Sequence, residues 1–414
     1  MGLPVSRAAA LELDASDPLG ALRRRFLIPE GVVYLDGNSL GPPLATTATR
    51  LQQTLHAEWG GELVRAWNTC GWIELPARVA ARIAPLIGAA GDEVAVADST
   101  SVNVFKLLAA ALALRPGRPV ILSEQENFPT DLYMAQGLAE LLGDRAHLEV
   151  VPRRRLRETL DDRVAVLMLT QVDFRSGELH DMCEMTRAAH AAGALILWDL
   201  AHSAGAVPVD LTACEADFAV GCGYKYLNGG PGAPAFAYAA RRHHDGLRTP
   251  LAGWMGHRDP FAFSTGYEAA PGSVQLQAGT PPILSLVALD EALKLFAEVD
   301  VDSLRRKSMA LGDLFIALVE RRLPDHGFVL VSPRDPERRG SQVAFSHPDG
   351  YAVMQALIAR GIIGDFRAPD LLRFGFAPAY TRFVDVWDAV AALEHLMSGR
   401  GWDRPEFRAR AKVT

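Results

Sequence analysis

Residues 194–232 read ALILWDLAHSAGAVPVDLTACEADFAVGCGYKYLNGGPG, and the fold is decided here. Residues 194–198 are an uninterrupted apolar run, short enough for a buried strand, and Asp199 stands where it stops. A second apolar run, 218–220, leads into Gly221, Gly223, Tyr224 and Lys225. In an open α/β sheet, ligands gather at the carboxyl ends of strands. The two runs would deliver a carboxylate and an amine to one crevice. Pyridoxal phosphate (PLP) needs that pair: a lysine to hold its aldehyde and a carboxylate to keep its ring nitrogen protonated.

Each residue also has an ordinary reading. An aspartate at a strand end can simply cap the next turn, and most lysines lie on the surface. Lys225, however, is set among Tyr224, Tyr226, Leu227 and a glycine cluster, unlike a charged turn. An amine in such surroundings can have a lowered pKa and act as nucleophile or base. Spacing alone leaves these readings open.

Outward from this stretch the pattern alternates. Apolar strands are predicted at 94–97, 120–122, 148–151, 164–169 and 235–238, with amphipathic helices over 102–114, 132–142 and 182–192. The fold class is α/β, with a mainly parallel sheet covered on both faces. A helix over 46–67 carries Gly60-Gly61, which should weaken or break it. After Pro282, helices over 283–297 and 304–323 precede strands at 328–331, 342–345 and 372–376, with helices near 351–360 and 384–397. This reads as a smaller α+β domain. The expected division is a large domain over 31–282 and a small one over 283–414.

Composition narrows the function. The 414 residues are 49% hydrophobic and 22% charged, ordinary for a globular chain. A net charge of −7 argues against nucleic acid or an anionic membrane as partner. No apolar run reaches the length of a membrane helix. Cys70, Cys183, Cys214 and Cys222 are scattered, without metal-ligand spacing. They suit a reducing compartment and do not read as a disulfide framework, so a cytoplasmic protein is expected. Cys222, although near Lys225, reads as a small buried hydrophobe. His202 has no second histidine at ligand spacing, so no metal is expected, and a supporting hydrogen bond near Asp199 is its reading.

Asp98-Ser99-Thr100-Ser101 lies between a strand and a helix, where hydroxyls and free N–H groups can bind an anion or merely cap. Pro129 and Asp131 of Phe128-Pro129-Thr130-Asp131 read in isolation as a turn and a helix cap. Arg373 in LRFGF could point to solvent from an alternating strand or serve as a carboxylate fork.

The motif WDLAHSAGAVPVDL followed by GCGYKYLNGGPG closely resembles the bacterial form of the kynureninase family, PLP enzymes of fold type I. YLDGNSLG (34–41), RAWNTCGW (65–72), NFPTDLY (127–133), SLRRKSMALGDLFIALVE (303–320), GYAVMQALIARGIIGDFR (350–367) and LRFGFAP (372–378) share the likeness. The resemblance covers nearly the whole chain from Tyr34. It implies hydrolysis of L-kynurenine to anthranilate and L-alanine in tryptophan catabolism. Lys225 would be the catalytic lysine, Asp199 the partner of the ring nitrogen and Tyr224 a proton carrier. Thr100 and Ser101 would contact the phosphate, and Phe128 would stack on the ring. Pro129 and Thr130 belong to the same cofactor segment, and Asp131 would lie by the ring's polar edge. Thr170, Asp199, His202 and Tyr224 match further cofactor contacts.

Trp254 and Thr280 match phosphate-side contacts from the partner subunit, which implies a homodimer with shared active sites. Arg373 would clamp the substrate α-carboxylate, while Ser39 and Trp67 would line the aryl side. Gly61, where some animal relatives carry histidine, and Trp67 favour kynurenine over its 3-hydroxy form. Residues 1–30 would pack with the small domain, as in fold-type I enzymes. The nearest competitors are a cysteine desulfurase or selenocysteine lyase, which need a cysteine beyond Cys222, and a non-catalytic protein that kept the fold. No cysteine follows Cys222, and Lys225, Asp199, Tyr224 and Arg373 together disfavour loss of activity.

Overall fold

The structure, a computed structural model, describes residues 6–410. They form two compact units, one of residues 47–173 and 180–298, the other of 6–46, 174–179 and 299–410.

The first unit is built on seven strands: β1 (Val94–Val96), β2 (Val120–Glu124), β3 (His147–Val151), β4 (Val164–Thr170), β5 (Leu195–Asp199), β6 (Phe218–Gly221) and β7 (Phe236–Ala239). They lie in the order β1-β7-β6-β5-β4-β2-β3. Strands β2 to β6 are parallel, and β7 runs antiparallel to β1 and β6. Every residue of β4 and β5 is buried, which is why both read as solid apolar runs. Helices α1 (Thr100–Leu114), α2 (Pro129–Leu142) and α3 (Met182–Ala191) connect strands. Leu107, Leu108 and Leu138 of α1 and α2 join Ile121, Val166 and Leu197 of the sheet in one core. Helix α2 starts three residues earlier than expected because Pro129 suits a first helical turn.

The expected helix over 46–67 changes character before Gly60-Gly61 and runs through both glycines. The α-helix ends at Gln53, a π-helix runs over Thr54–Glu62, and Leu63 follows at φ 53°.

The second unit carries a four-stranded antiparallel sheet in the order Asp365–Arg367, Leu371–Gly375, Gln342–Ser346, Val329–Leu330. Helices Val301–Arg322 and Phe383–Ser398 share its core with Phe345, Phe374 and Phe376. Helix Arg7–Ala15 belongs here, with Asp14 accepting from the N–H groups of Phe383 (2.7 Å) and Val384 (3.0 Å).

These bounds differ from a division at residue 282. Residues 31–46 group with the smaller unit because Val33–Tyr34 pairs in parallel with Ile362–Ile363. Helix Ile283–Leu293 groups with the larger one, where Asp290 takes Arg78 and Arg82.

The cysteines require a correction. Cys183 and Cys214 form a disulfide, with Cα atoms 4.4 Å apart. The first turn of α3 and the loop before β6 bring them together, although they lie 31 positions apart in sequence and no motif marks them. Cys70 and Cys222 are free thiols, and Cys222 is buried. Among the described residues no helix is long and apolar enough to cross a membrane.

Candidate active site

Parallel register lines up the carboxyl ends of β4, β5 and β6, so that Thr170 faces Asp199 and Asp199 faces Val220. Beyond β6 the chain turns through Gly223, where a Cβ would meet the Pro234 carbonyl at 2.6 Å, so only glycine fits. This turn presents Tyr224 and Lys225. The Lys225 Nζ is 3.0 Å from His202 Nε2, 5.9 Å from the Phe128 ring centroid and 5.8 Å from that of Tyr224. His202 thus supports the lysine itself. Burial pushes the Tyr224 hydroxyl well up from its ordinary value, so it keeps its proton.

Asp199 and Asp131 are both buried. Asp199 Oδ1 accepts from the Ala201 N–H at 2.7 Å. Burial pushes Asp199 up, against the pull of the Lys225 charge. Burial, and next the charge of Asp199, push Asp131 well up. Two adjacent buried carboxyls do not both ionise, and Asp131 is the one that holds the proton.

Asn127 is a residue that sequence reasoning missed. Its Oδ1 accepts from Thr170 Oγ1 (2.5 Å) and from the Phe128 N–H (2.8 Å), while its Nδ2 donates to Ser123 Oγ (2.9 Å). It therefore brackets β2, β4 and the start of α2. Its signal was its place in NFPTDLY, directly before the phenylalanine.

Thr100 and Ser101 open α1, and Pro129, Thr130 and Asp131 open α2. The two helix starts meet where Ser101 Oγ lies 3.2 Å from Thr130 Oγ1. Ser99 Oγ accepts from the Val102 N–H, so capping falls to Ser99. First-turn N–H groups have no acceptor within their own helix and favour anions.

Trp67, Trp254 and Thr280 come together in a cavity of 440 Å³, lined also by Val64, Met255 and Phe261. Trp67 meets Trp72 edge-on at 5.9 Å, and Trp72 Nε1 donates to buried Glu58 at 2.8 Å.

Arg373 and Ser39 lie in the smaller unit. Arg373 is 1% exposed, which excludes the solvent-facing reading. It stands opposite Asp365 in the antiparallel register. Its Nε donates to Asp365 Oδ1 at 2.8 Å and its Nη2 bonds Asp365 Oδ2. Nη2 also reaches Ser39 Oγ (3.1 Å), and Nη1 reaches the Phe174 carbonyl (2.5 Å). Neither Asp365 nor its second partner Arg367 (2.6 Å) is singled out by the sequence, where both lie unmarked inside the family-like stretch 350–367. Burial, followed by the charge of Asp365, pushes Asp36 up to about 7.

The residues around Lys225 fit PLP. Neither Asp131 oxygen has a hydrogen-bond partner, and a protonated ring nitrogen would supply a donor and a positive charge to these two buried carboxyls. The Phe128 ring, 38% exposed, offers a stacking face beneath Lys225. The joined starts of α1 and α2 suit a phosphate.

Comparison with known proteins agrees. A family model described as the kynureninase C-terminal domain matches residues 304–393. The chain is 54% identical over 414 residues to a kynureninase of Burkholderia mallei (strain SAVP1), covering 99% of this chain and 100% of that one. It is 49% identical to a kynureninase of Pseudomonas fluorescens at the same coverage. Among solved structures, an apo cysteine desulfurase from Thermococcus onnurineus NA1 superposes with a TM-score of 0.77 at 19% identity, covering 92% of this chain and 98% of that one. A lysine-to-alanine mutant of C-DES, with glycine covalently linked to its PLP cofactor, gives 0.78 at 15% identity, with coverages of 90% and 98%. At such identities these two carry the fold alone, which is that of fold-type I PLP enzymes, as expected.

Proposed function

The chain belongs to the kynureninase family, and from that membership we propose how its residues hydrolyse L-kynurenine to anthranilate and L-alanine with pyridoxal phosphate. When bound, the cofactor supplies an electron sink for negative charge at the substrate Cα and Cβ. Lys225 holds the cofactor at rest and, once released, moves the Cα proton, with His202 fixing its amine. Asp199 holds the proton of the ring nitrogen, and Asp131, kept neutral by burial and by the charge of Asp199, adds no second charge beside it. Phe128 stacks on the ring, while Thr100, Ser101 and Thr130 hold the phosphate. Arg373 binds the substrate α-carboxylate, and Ser39 and Trp67 line the aryl side. Water adds to the γ-carbonyl, the Cβ–Cγ bond breaks to release anthranilate, and Tyr224, which keeps its proton across the working pH, delivers one to Cβ.

The observation that carries this reading is the Lys225 amine, held 3.0 Å from His202 over the exposed face of Phe128. The test is anthranilate fluorescence after mixing PLP-loaded protein with L-kynurenine, with Lys225→Ala alongside. A rising signal lost in the variant is expected. No signal from a yellow, PLP-bound parent would sink the substrate.

The reading includes a homodimer in which Trp254 and Thr280 reach the partner's phosphate. An exposed aromatic cluster of Trp254, Phe261, Phe263 and Tyr267 supports it, since lone subunits seldom leave such surface open. Sedimentation showing a monomer at assay concentration would end it. It also makes 3-hydroxykynurenine the poorer substrate, through Trp67 and Gly61, which a competition assay reads directly. It places the enzyme in the cytoplasm; the Cys183–Cys214 disulfide counts against this, and thiol labelling in freshly lysed cells decides it.

A further inference from the structure

Arg373 is the anchor assigned to the substrate α-carboxylate, yet most of its fork is engaged within its own chain. A guanidinium has five N–H donors. Nε takes Asp365 Oδ1, the two Nη2 hydrogens go to Asp365 Oδ2 and Ser39 Oγ, and one Nη1 hydrogen goes to the Phe174 carbonyl. A single Nη1 hydrogen remains. Alone it cannot make the two parallel bonds by which an arginine normally holds a carboxylate.

Arg367 offers the missing donors. It lies two residues beyond Asp365 on the same strand, and therefore on the same face. Its Nη2 is 2.6 Å from Asp365 Oδ2 and 3.5 Å from Ser39 Oγ, so it shares both groups with Arg373. Its Nε is buried without a hydrogen-bond partner, while 37% of its side chain stays exposed. The charged groups around it are Arg373, Asp365 and Asp36. We propose that Arg367 is a second substrate-binding residue, which takes one oxygen of the α-carboxylate while Arg373 takes the other. The bland alternative is that Arg367 only balances the charge of Asp365.

This inference rests on L-kynurenine being the substrate and on Arg373 meeting its carboxylate. The test uses the PLP-loaded enzyme and two small ligands that differ only at that group, L-alanine and L-alaninamide. Their affinities are read from the absorbance of the bound cofactor. In Arg367→Met, L-alanine should bind about tenfold more weakly and KM for L-kynurenine should rise by about as much, the effect of one lost charge-assisted hydrogen bond. The kcat should stay within about threefold, and L-alaninamide should bind as in the parent. Equal losses for both ligands, or an unchanged KM, overturn the proposal. Should Arg367→Met fail to fold, Arg367→Lys keeps the charge on Asp365 but lacks the planar fork. It must still lose L-alanine selectively, and equal binding of both ligands in it overturns the proposal too. A parent that binds PLP but leaves kynurenine intact would instead sink the substrate reading.

Discussion

Lys106, fully buried in α1, is ion-paired to Asp98, the residue that enters that helix at φ 52°. Side chains in a helix lean toward its N-terminus, which lets Lys106 reach back to the turn. Its amine also donates to the Leu276 carbonyl at 2.5 Å. Asn103 Nδ2 ties the Ala97 carbonyl at 2.9 Å, so both residues before the Ser99 cap are pinned from within α1. A left-handed non-glycine residue costs energy, and the ion pair offsets part of it.

Asp98→Gly and Asp98→Ala make the first prediction. Both leave Lys106 without its carboxylate, and they differ only in tolerance of a positive φ. Alanine should be less stable than glycine by about 1 kcal/mol in urea unfolding of the cofactor-free protein. Equal midpoints would show that the conformation is not under strain.

Asp36 makes the second. Its folded pKa of about 7 lies above the ordinary carboxyl value, so the folded protein binds this proton more tightly than the unfolded chain. The stability it contributes is complete below about pH 4 and is lost as pH rises to about 7. Ionisation also adds negative charge beside Asp365, Arg367 and Arg373. KM for L-kynurenine should therefore rise as pH passes about 7, and Asp36→Asn, locked neutral, should flatten that rise. A parent KM that falls across the same interval contradicts the assignment.

Tyr224→Phe is the third. With its hydroxyl held protonated by burial, Tyr224 can donate but not act as a base near neutrality. Loss of a positioned proton donor slows turnover about 10²–10⁴-fold. The yellow colour of bound PLP should persist. Purification without cofactor, or turnover at the parental rate, would overturn the proton-carrier assignment.

The larger unit was legible because parallel strands buried on both faces write themselves as apolar runs with functional residues at their ends. That rule sets Asp199 and Lys225 at or just beyond strand ends, while their chemistry is read only from the family resemblance. Asp365 and Arg367 escape it, because their strand is three residues long and their meaning comes from the antiparallel register opposite Arg373. Asn127 and Lys106 were missed for a related reason: each acts on backbone or side chains that only the folded chain brings near. The Val33–Tyr34 and Ile362–Ile363 pairing joins segments more than 300 residues apart, and no local period encodes it.

Cys183–Cys214 shows the same limit and makes the fourth prediction. Closing a loop whose ends lie 31 positions apart stabilises by about 3–4 kcal/mol in the chain-entropy model. Cys183→Ser, or a strong reductant, should lower the melting temperature while leaving kcat near parental, since neither cysteine is among the proposed site residues. Unchanged melting under reductant would mean that the thiols are already free in solution.

The paired carboxyls make the last prediction, through a contrast between neighbours. Asp131 is pushed well up by burial and by Asp199, so it is neutral at working pH and an amide reproduces its charge. Asp131→Asn should keep kcat within about tenfold, because it exchanges one neutral hydrogen-bonding group for another. Asp199 is also raised, but the Lys225 charge pulls it back, and a protonated ring nitrogen would hold it ionised. Asp199→Asn removes that charge at the one atom where it steadies the electron sink. Turnover should fall about 10²–10³-fold, the scale on which fixed charges act in a water-poor site. Cofactor should remain attached through Lys225. Parallel kinetics of the two variants, each with a cofactor spectrum, settle the roles. Equal losses would mean that the proton is shared evenly between the carboxyls, and a larger loss in Asp131→Asn would exchange their assignments.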